Sequence, residues 1–273
     1  MDIINEITED EFNKIVNLLK GQYGINLSQK KNLIVGRLRN HLQRSNFNTF
    51  TEFYDYVASD KSGEAATLLI NKLTTNYTYF LREIEHFDFF KSTVVPAIVN
   101  TEKSRDMRIW SAGCSSGEEP YSIAMYLDDF FRGDKRGWDT KILATDISER
   151  VLNQAAEGVY LTESLEPLSQ AWRKNYFRRY DEDHSQVVER LRREIIFRKF
   201  NLMNLVLPFK KKFHMIWCRN VMIYFEVKTK HELIERFYDA TESGGYLFIG
   251  HSESIIRANT RYKYVKPAIY RKE

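Results

Sequence analysis

A glycine-containing loop with two acidic residues is the segment of this chain best suited to bind a ligand. It lies within residues 107–122, MRIWSAGCSSGEEPYS, where a short apolar run leads through Gly113 and Gly117 into a helical pattern. In a doubly wound α/β sheet the first strand-to-helix turn lies beneath the ligand. Glycine lets the backbone approach the ligand closely, and the N–H groups of the new helix face the site. The segment therefore predicts a cofactor loop.

An acidic residue at the end of the next predicted strand indicates which cofactor this is. Residues 141–145 form that strand, and Asp146 follows it, placed to accept hydrogen bonds from both ribose hydroxyls of a nucleoside. The loop lacks the Gly-x-Gly-x-x-Gly cradle of a dinucleotide site, and Glu118 and Glu119 would repel phosphate and suit a cation. S-adenosylmethionine, with its ribose, amino group and sulfonium, meets these demands. The alternative is a loop that merely begins a surface helix, and Asp146 argues against it.

Composition limits the class of protein. The 273 residues suffice for two domains, and a net charge of +4 with a pI near 8.8 falls well short of a nucleic-acid coat. Apolar runs are too short to span a membrane, and the start, MDIINEITEDEF, has no secretory pattern, so we expect a cytoplasmic protein. Cys114 and Cys218 make no disulfide framework. The six scattered histidines predict no metal site.

The first part of the chain, residues 1–75, has helical patterns only. Thr8 with Glu11 and Thr49 with Glu52 predict two capping boxes, each followed by apolar residues at helical spacing. Ser28 is expected to cap a helix that runs to Arg44, and a fourth helix is expected over 62–73. These helices predict a small N-terminal bundle.

Strands alternate with helices from about residue 105 onward, which predicts a mostly parallel sheet. The expected strands cover 107–112, 141–145, 195–200, 213–218 and 245–250, in the order 3-2-1-4-5. Residues 262–265 and 268–271 predict a terminal antiparallel pair. The stretch from about 159 to 198 is too long for one crossover and predicts a small inserted β-subdomain. The fold class expected is therefore α/β, with a helical bundle and a Rossmann-like sheet of the class I methyltransferase kind.

Six separated strings, taken in order, make the chain resemble the chemoreceptor glutamate methyltransferases of the CheR family over nearly its whole length. They are KLTTNYTYFLRE (72–83), RIWSAGCSSGEEPYSIA (108–124), ATDIS (144–148), FNLM (200–203), WCRNVMIYF (217–225) and GHSES (250–254). The resemblance implies transfer of a methyl group from S-adenosylmethionine to glutamate side chains of receptor helices. It also implies a helical domain over 1–75, a linker over 76–104 that contributes cofactor contacts, and a methyltransferase domain over 105–273.

The resemblance also implies positions for the cofactor contacts and for the groups that assist transfer. Arg82 would bind the methionine carboxylate, Asp146 the ribose, and the Asn201 region the adenine. Arg219 and Tyr224 are the candidate catalytic residues, and His251 is either a residue that lines the site or a structural one. The full set of implied cofactor contacts is Asn76, Thr78, Arg82, Gly113, Glu118, Asp146, Asn201, Leu202, Arg219 and Asn220.

Charge in the helical domain predicts how the substrate is bound. Between Glu11 and Glu52 there is no acidic residue, and a group of basic residues lies on or beside one helix. Similar proteins use such a face to meet an acidic receptor bundle, whereas a merely solvated helix is the alternative. The expected docking residues are Lys30, Lys31, Arg37, Arg39 and Arg44. We expect the product to be S-adenosylhomocysteine and the protein to be a monomer.

Two features bear on other partners. The predicted turn at 180–184 reads YDEDH and lacks the glycine of relatives that dock on a receptor C-terminal pentapeptide, which argues against such a tether. A nucleic-acid methyltransferase would need an Asn/Asp-Pro-Pro-Tyr motif where this chain has Cys-Arg-Asn-Val. A non-catalytic adaptor with a degenerate pocket would have lost polar groups that are all present here. The sequence therefore favours an active protein methyltransferase with no nucleic-acid partner.

Overall fold

The chain folds into two compact units. The first contains residues 6–75 together with Tyr224–Thr229, and the second contains Tyr77–Ile223 and Lys230–Glu273. The computed structural model describes residues 6–75, 77–135 and 137–273, except for the side chain of Arg257. No helix in these described ranges combines the length and the apolar character that crossing a membrane requires.

Four helices form the first unit, which we call the helical unit. They are α1 (Glu9–Tyr23), α2 (Lys31–Arg44), α3 (Phe50–Ser59) and α4 (Glu64–Leu73). Each buries an apolar stripe at helical spacing, such as Ile34, Leu38 and Leu42 on α2, which are all 0% exposed. The segment Tyr224–Thr229 joins this unit, because the Asn26 N–H donates to the Tyr224 carbonyl at 2.8 Å. Nothing in the sequence predicted that addition.

The helix caps agree only in part with the sequence. Thr8 and Glu11 form the expected reciprocal capping box at α1. At α3 the Thr49 hydroxyl accepts the Glu52 N–H at 3.1 Å, but the Glu52 carboxylate accepts the N–H of Asn48 instead of that of Thr49. The predicted cap at Ser28 is wrong. The helix begins after Lys30 with no side-chain cap, and the Ser28 N–H donates to the Asn26 side chain in a turn.

The second unit, which we call the α/β unit, alternates helices and strands. Its helices are α5 (Ile84–Phe89), continued by a π-helical turn (Phe90–Val94) into α6 (Val95–Thr101), then α7 (Glu118–Phe130), α8 (Glu149–Glu157), α9 (Gln170–Tyr176), α10 (Glu189–Arg192) and α11 (Val227–Ala240). Its strands are β1 (Ile109–Ala112), β2 (Ile142–Asp146), β3 (Val159–Leu161), β4 (Phe177–Arg179), β5 (His184–Val187), β6 (Ile195–Lys199), β7 (Phe213–Cys218), β8 (Thr241–Ile249), β9 (Lys263–Lys266) and β10 (Ile269–Arg271). Short 3-10 turns cover Thr162–Leu165, Met222–Tyr224 and Arg257–Asn259.

Seven strands make the main sheet, in the order β6-β2-β1-β7-β8-β10-β9. The first five are parallel, and β10 pairs antiparallel with both β8 and β9. This order is the predicted 3-2-1-4-5 arrangement with the predicted terminal pair added. The strand order reverses between β1 and β7, and such sheets bind ligands in the crevice at that point, beyond the carboxyl ends of the strands.

A second, small sheet confirms the inserted β-subdomain. Its order is β3-β5-β4, with both pairings antiparallel. The turn between β4 and β5 contains the YDEDH segment, where the carboxylate of Asp181 accepts the N–H groups of Asp183 and His184 at 2.9 and 2.8 Å. The predicted fold class is therefore confirmed in each of its parts.

An aromatic pair lies at the centre of the α/β unit's core. Trp217 on β7 and Phe248 on β8 are register neighbours, and their rings stack with centroids 4.1 Å apart and 9° between planes. Both are 0% exposed. Phe87 packs its ring 5.0 Å from Trp217, which attaches α5 to the sheet. Burial of these rings fixes the two strands whose ends carry site residues.

Replacing Phe248 by Ala should therefore lower the free energy of unfolding by about 3–5 kcal/mol, since a ring is removed from a closed core and leaves a cavity. Urea denaturation followed by tryptophan fluorescence measures this. Leu205→Ala removes apolar surface from a side chain that is 87% exposed, and we expect a change of about 0.5 kcal/mol or less. Equal effects of the two changes would contradict the assigned core.

Candidate active site

The loop between β1 and α7 is fastened to the end of β2. The backbone N–H groups of Gly113 and Cys114 both donate to the Thr145 carbonyl, at 2.8 and 2.9 Å. Gly113 has a φ of +94°, and a Cβ there would lie 2.4 Å from a methyl group of Val221. The glycine is thus required by packing against the segment that follows β7. This is a different reason from the close approach to a ligand that the sequence suggested.

The second glycine fixes where α7 begins. Gly117 is the N-cap of α7 with a φ of +98°, and a Cβ there would lie 2.8 Å from the Ala155 side chain and 2.9 Å from the Tyr160 hydroxyl. That hydroxyl donates to the Ser116 carbonyl at 2.7 Å. Only glycine fits this left-handed and crowded position. The loop is therefore held rigid from the side of α8 and β3.

Asp146 stands at the carboxyl end of β2 and binds the same loop. Its Oδ2 accepts the N–H of Ser115 at 2.9 Å, and its Oδ1 accepts the N–H of Ser148 at 3.0 Å. Burial raises the pKa of its carboxyl group, and these N–H donors offset part of that rise. The side chain is half-buried, and a carboxylate can accept about four hydrogen bonds. Asp146 can therefore accept further donors, as ribose hydroxyls would require.

Several other predicted cofactor contacts are placed as follows. Glu118 is the first residue of α7 and is 8% exposed. Burial raises the pKa of its carboxyl group, and its Oε2 accepts the Ser116 hydroxyl at 2.7 Å.

Arg82 donates to the Tyr77 carbonyl at 2.9 Å, next to the half-buried Thr78. Asn201 and Leu202 follow β6 in a turn closed by Asn201 itself, whose Oδ1 accepts the Met203 N–H at 2.9 Å. Asn76 lies outside the described residues.

Arg219, at the end of β7, is buried instead of facing an open site. Its side chain is 2% exposed. Its Nε and Nη2 donate to the Glu83 carboxylate at 3.3 and 3.1 Å, its Nη1 donates to Glu119 at 3.1 Å, and its Nη2 also donates to the Arg82 carbonyl. The rings of Phe87 and Trp217 lie within cation–π distance, at 5.5 and 5.7 Å. These contacts favour a positioning role over direct contact with a substrate.

The two carboxylates bound to Arg219 differ in protonation behaviour. Burial alone would raise the pKa of Glu83, but the charge of Arg219 and the N–H of His251 outweigh it and lower that pKa. For Glu119 burial dominates and raises the pKa, although Arg219 and the Ser111 hydroxyl, which donates at 2.7 Å, oppose the rise. Neither residue was among the predicted site residues. Arg219, the cation that binds them, lies 136 residues from Glu83 and 100 residues from Glu119 in the chain, so spacing could not reveal these pairs.

A further acidic residue joins the ends of β7 and β8. Glu253 is 7% exposed, and its Oε2 accepts the N–H groups of Asn220 and Gly250 at 2.9 and 2.6 Å. Burial raises its pKa. Asn220 has a φ of +59°, and a Cβ on Gly250 would lie 2.4 Å from the Asn220 amide. The two turns are therefore in direct contact, and Glu253, which sequence analysis did not select, holds them together.

Glu83, His86 and His251 bring ligand atoms within 4.8 Å of one another, which raises the question of a metal ion. The Glu83 oxygens already accept from Arg219 and from the His251 N–H, and the guanidinium charge would repel a divalent cation. His86 is 1% exposed, and burial followed by the charge of Arg219 lowers its pKa to about 3. The ring is therefore neutral at pH 7. The cluster is better described as an ion-paired site than as a metal centre.

The remaining predicted residues lie in the helical unit. The Tyr224 hydroxyl accepts the Thr75 N–H at 3.0 Å, and its catalytic role stays a prediction. Among the predicted docking residues Lys30 and Arg44 are exposed, Arg39 is half-buried, and Lys31 pairs with Glu9. Arg37 donates to the Thr74 carbonyl at 2.8 Å and to the Thr75 hydroxyl at 3.1 Å. Arg37 thus also has a structural task.

Comparison with known proteins agrees with this arrangement. Residues 10–74 match the family described as CheR methyltransferase, all-alpha domain, and residues 76–270 match CheR methyltransferase, SAM binding domain. A chemotaxis protein methyltransferase from Borreliella burgdorferi is 43% identical over 97% of this chain and 95% of its own length. The chemotaxis protein methyltransferase of Escherichia coli is 33% identical over 97% of this chain and 91% of its own.

Among solved structures, the chain is similar to an N-methyltransferase from Bradyrhizobium japonicum in complex with S-adenosylhomocysteine. The match covers 52% of this chain and 51% of the other chain, with 12% sequence identity and a TM-score of 0.32. That similarity is too low to inform the site. The two family domains, by contrast, cover most of the chain, and the glycine loop, Asp146 and the Arg219 turn all fall within the S-adenosylmethionine-binding one. The chain therefore belongs to the CheR family of S-adenosylmethionine-binding methyltransferases.

Proposed function

We propose that this protein transfers the methyl group of S-adenosylmethionine to glutamate side-chain carboxylates of chemoreceptors and forms methyl esters. Membership of the CheR family supports methylation in chemotaxis. The observation that carries the site assignment is Asp146, a half-buried carboxylate at the tip of β2 that is fixed by the glycine loop and retains acceptor capacity. That is the group a ribose needs at this point of the sheet.

The proposed cofactor contacts are spread along one edge of the sheet. Asp146 would accept the ribose hydroxyls, and Asn201 with Leu202 would frame the adenine beyond β6. Glu118, at the start of α7, would face the positively charged amino-acid portion. Arg82 is half-buried and donates to the Tyr77 carbonyl through Nη1, so the rest of its guanidinium group can bind a carboxylate. Gly113 and Gly117 keep the loop in the shape that these contacts require.

The proposed reaction needs no proton transfer. When bound, S-adenosylmethionine supplies a sulfonium methyl group. A glutamate carboxylate is ionised at neutral pH, so one of its oxygens forms the bond to the methyl carbon while the carbon–sulfur bond breaks and its electron pair stays on sulfur. One negative and one positive charge disappear, which a dry site of low polarity favours. The chain's residues then have only to align the two partners and exclude water.

The acidic receptor bundle is the proposed partner of the helical unit. The basic residues on or beside α2 occur in a stretch of chain without acids, which suits an acidic helical surface. This partner would place the reaction in the cytoplasm. We expect a monomer, no contact with nucleic acid, and no tether to a receptor pentapeptide, because the β4–β5 turn contains no glycine.

Asp146→Asn tests the cofactor assignment. The asparagine amide would turn an N–H group toward one of the N–H donors of Ser115 and Ser148, and the charge would be lost. We expect S-adenosylhomocysteine to bind about 10–100-fold more weakly in calorimetry. Burial raises the pKa of Asp146, so its carboxylate is protonated at a higher pH than that of an ordinary aspartate. On acidification, the affinity of the parent for S-adenosylhomocysteine should therefore begin to fall at a higher pH.

Asp139→Asn is the matched control, since Asp139 is exposed at the opposite end of β2 and accepts the Lys141 N–H at 3.1 Å. It should leave the affinity unchanged. Equal affinities of the Asp146 variant and the parent would remove the basis of the ribose assignment.

The chemical stability of the product tests the proposed acceptor. Receptor-containing membranes labelled by the protein with methyl-labelled S-adenosylmethionine should release volatile methanol on mild alkaline treatment, because esters hydrolyse in base. A portion kept at mildly acidic pH should retain the label. Methylated lysine, arginine or a nucleobase nitrogen carries a stable C–N bond, so label that survives alkali in full rules out carboxylate transfer.

Charge reversal on the helical unit tests receptor docking. Lys30→Glu and Arg44→Glu change exposed residues at the two ends of α2, and each should raise the KM for receptor several-fold while leaving cofactor affinity alone. The parent's rate should fall with added salt as charges are screened. Lys61→Glu makes the same charge change at another exposed site of this unit and serves as control. If all three variants behave alike, the basic residues form only a solvated surface.

A further inference from the structure

The topology of the α/β unit divides the site into two sides. Asp146 and Asn201 follow β2 and β6, which lie on one side of β1. The nucleoside portion of the proposed cofactor would occupy that side. On the other side of β1 the sheet continues with β7 and β8. The methyl acceptor would bind beyond the carboxyl ends of these two strands. A group that holds the receptor carboxylate should therefore follow β7 or β8.

Among the polar side chains that follow these two strands, His251 is the best placed to contact a ligand. Arg219 is 2% exposed and already bound by two carboxylates. Asn220 is half-buried, and its amide is directed at Glu83, 3.5 Å away. His251 follows Gly250 directly after β8, and its side chain is exposed. Its imidazole offers an N–H donor to an entering carboxylate.

Three contacts fix His251 although it is exposed. Its backbone N–H donates to the Glu83 Oε1 at 3.0 Å, and Glu253 binds the N–H of the preceding Gly250. Its ring meets the buried ring of His86 edge to face, with centroids 4.7 Å apart and 86° between planes. An ordinary surface histidine has no such support. These contacts hold the backbone at His251 and pack its ring against that of His86, and Glu83 is itself held by Arg219.

We propose that the His251 imidazole donates a hydrogen bond to the receptor glutamate carboxylate and orients it for attack on the methyl group. This rests on the proposed function. One carboxylate oxygen is held, and the other is left to form the ester bond. Glu83 and Glu253 act as positioning residues, since they contact the His251 and Gly250 backbone and not the substrate.

The test compares three substitutions of His251 in the full chain. His251→Ala and His251→Phe remove the donor, and His251→Gln keeps an N–H donor on a side chain of similar reach. For each we would measure kcat and KM for receptor membranes by alkali-labile label, the Kd for S-adenosylhomocysteine by calorimetry, and the melting temperature. His231→Ala, an exposed histidine on α11 in the same unit, is the matched control.

We expect His251→Ala and His251→Phe to lower kcat/KM for receptor about 10–100-fold, as loss of a hydrogen bond to a charged group does, with cofactor-product affinity unchanged within about twofold. His251→Gln should recover most of the loss. The His231 control should match the parent.

Three results would overturn the inference. They are a His251→Ala rate equal to that of the His231 control, a glutamine variant no better than the phenylalanine variant, or a loss of cofactor-product affinity that parallels the loss of rate. If a His251 variant melts at a lower temperature, the comparison of the glutamine variant with the phenylalanine variant decides. A packing role predicts that phenylalanine restores kcat/KM, whereas a hydrogen-bonding role predicts that glutamine restores it. If the parent itself yields no alkali-labile label, the proposed function fails and the inference fails with it. Label on the parent combined with unaffected variants defeats the inference alone.

Discussion

The buried guanidinium group of Arg219 joins parts of the α/β unit that are distant in the sequence. It binds Glu83 before α5, Glu119 in the first turn of α7 and the backbone at Arg82, while it is itself attached to the end of β7. A charge buried to this extent costs several kcal/mol of solvation, which the attraction to its partners must offset. Replacing either carboxylate would take one of its two charged partners from this buried guanidinium group. The three segments are therefore obliged to stay in one arrangement.

This arrangement includes backbone conformations that most residues avoid. Leu81 and Glu83 have φ values of +59° and +56° on either side of Arg82, and Asn220 follows Arg219 at +59°. Each left-handed residue other than glycine costs free energy that surrounding contacts must supply. Here the hydrogen bonds of Glu83, Arg219 and Glu253 supply it. Asn220 lies directly after the carboxyl end of β7, and Leu81 and Glu83 lie just before α5, so these contacts preorganise the segments that meet at Arg219.

The sequence predicted what depends on local pattern. β7 was predicted with its observed bounds, and the sheet order followed from the alternation of strands and helices. Asp146 could be selected because its role requires only that it end the second strand. The sequence did not show the packing of Gly113 against Val221, which is far away in the chain.

Long-range contacts explain the other differences. Glu83 lies 136 residues from Arg219, and Glu253 lies 33 residues from Asn220, so no spacing rule connects them. The sequence suggested that Arg219 contacts the ligand, because it shows the charge of Arg219 and not the two carboxylates that bind it. Tyr224 follows β7 closely in sequence, yet its segment pairs with the turn after α1. A single sequence predicts strands and loops better than it predicts which side chains are already bound by other residues of the chain.

The distribution of charge between the units has a consequence for the proposed reaction. The α/β unit places the carboxylates of Glu83, Glu118, Glu119, Asp146 and Glu253 around its candidate site, where they would favour a cationic cofactor and repel a receptor glutamate. The single positive charge of Arg219 offsets one of the two charges of Glu83 and Glu119, and burial raises the pKa of Glu118, Glu119 and Glu253, which weakens the repulsion as pH falls. Attraction of an acidic receptor must then come mainly from elsewhere. The basic stretch of the helical unit can provide it, because attraction between charged surfaces acts through solvent over about 8 Å at physiological salt. The proposed binding of a cationic cofactor and the proposed capture of an acidic acceptor would thus require opposite charges, and the proposed sites for them lie in different units.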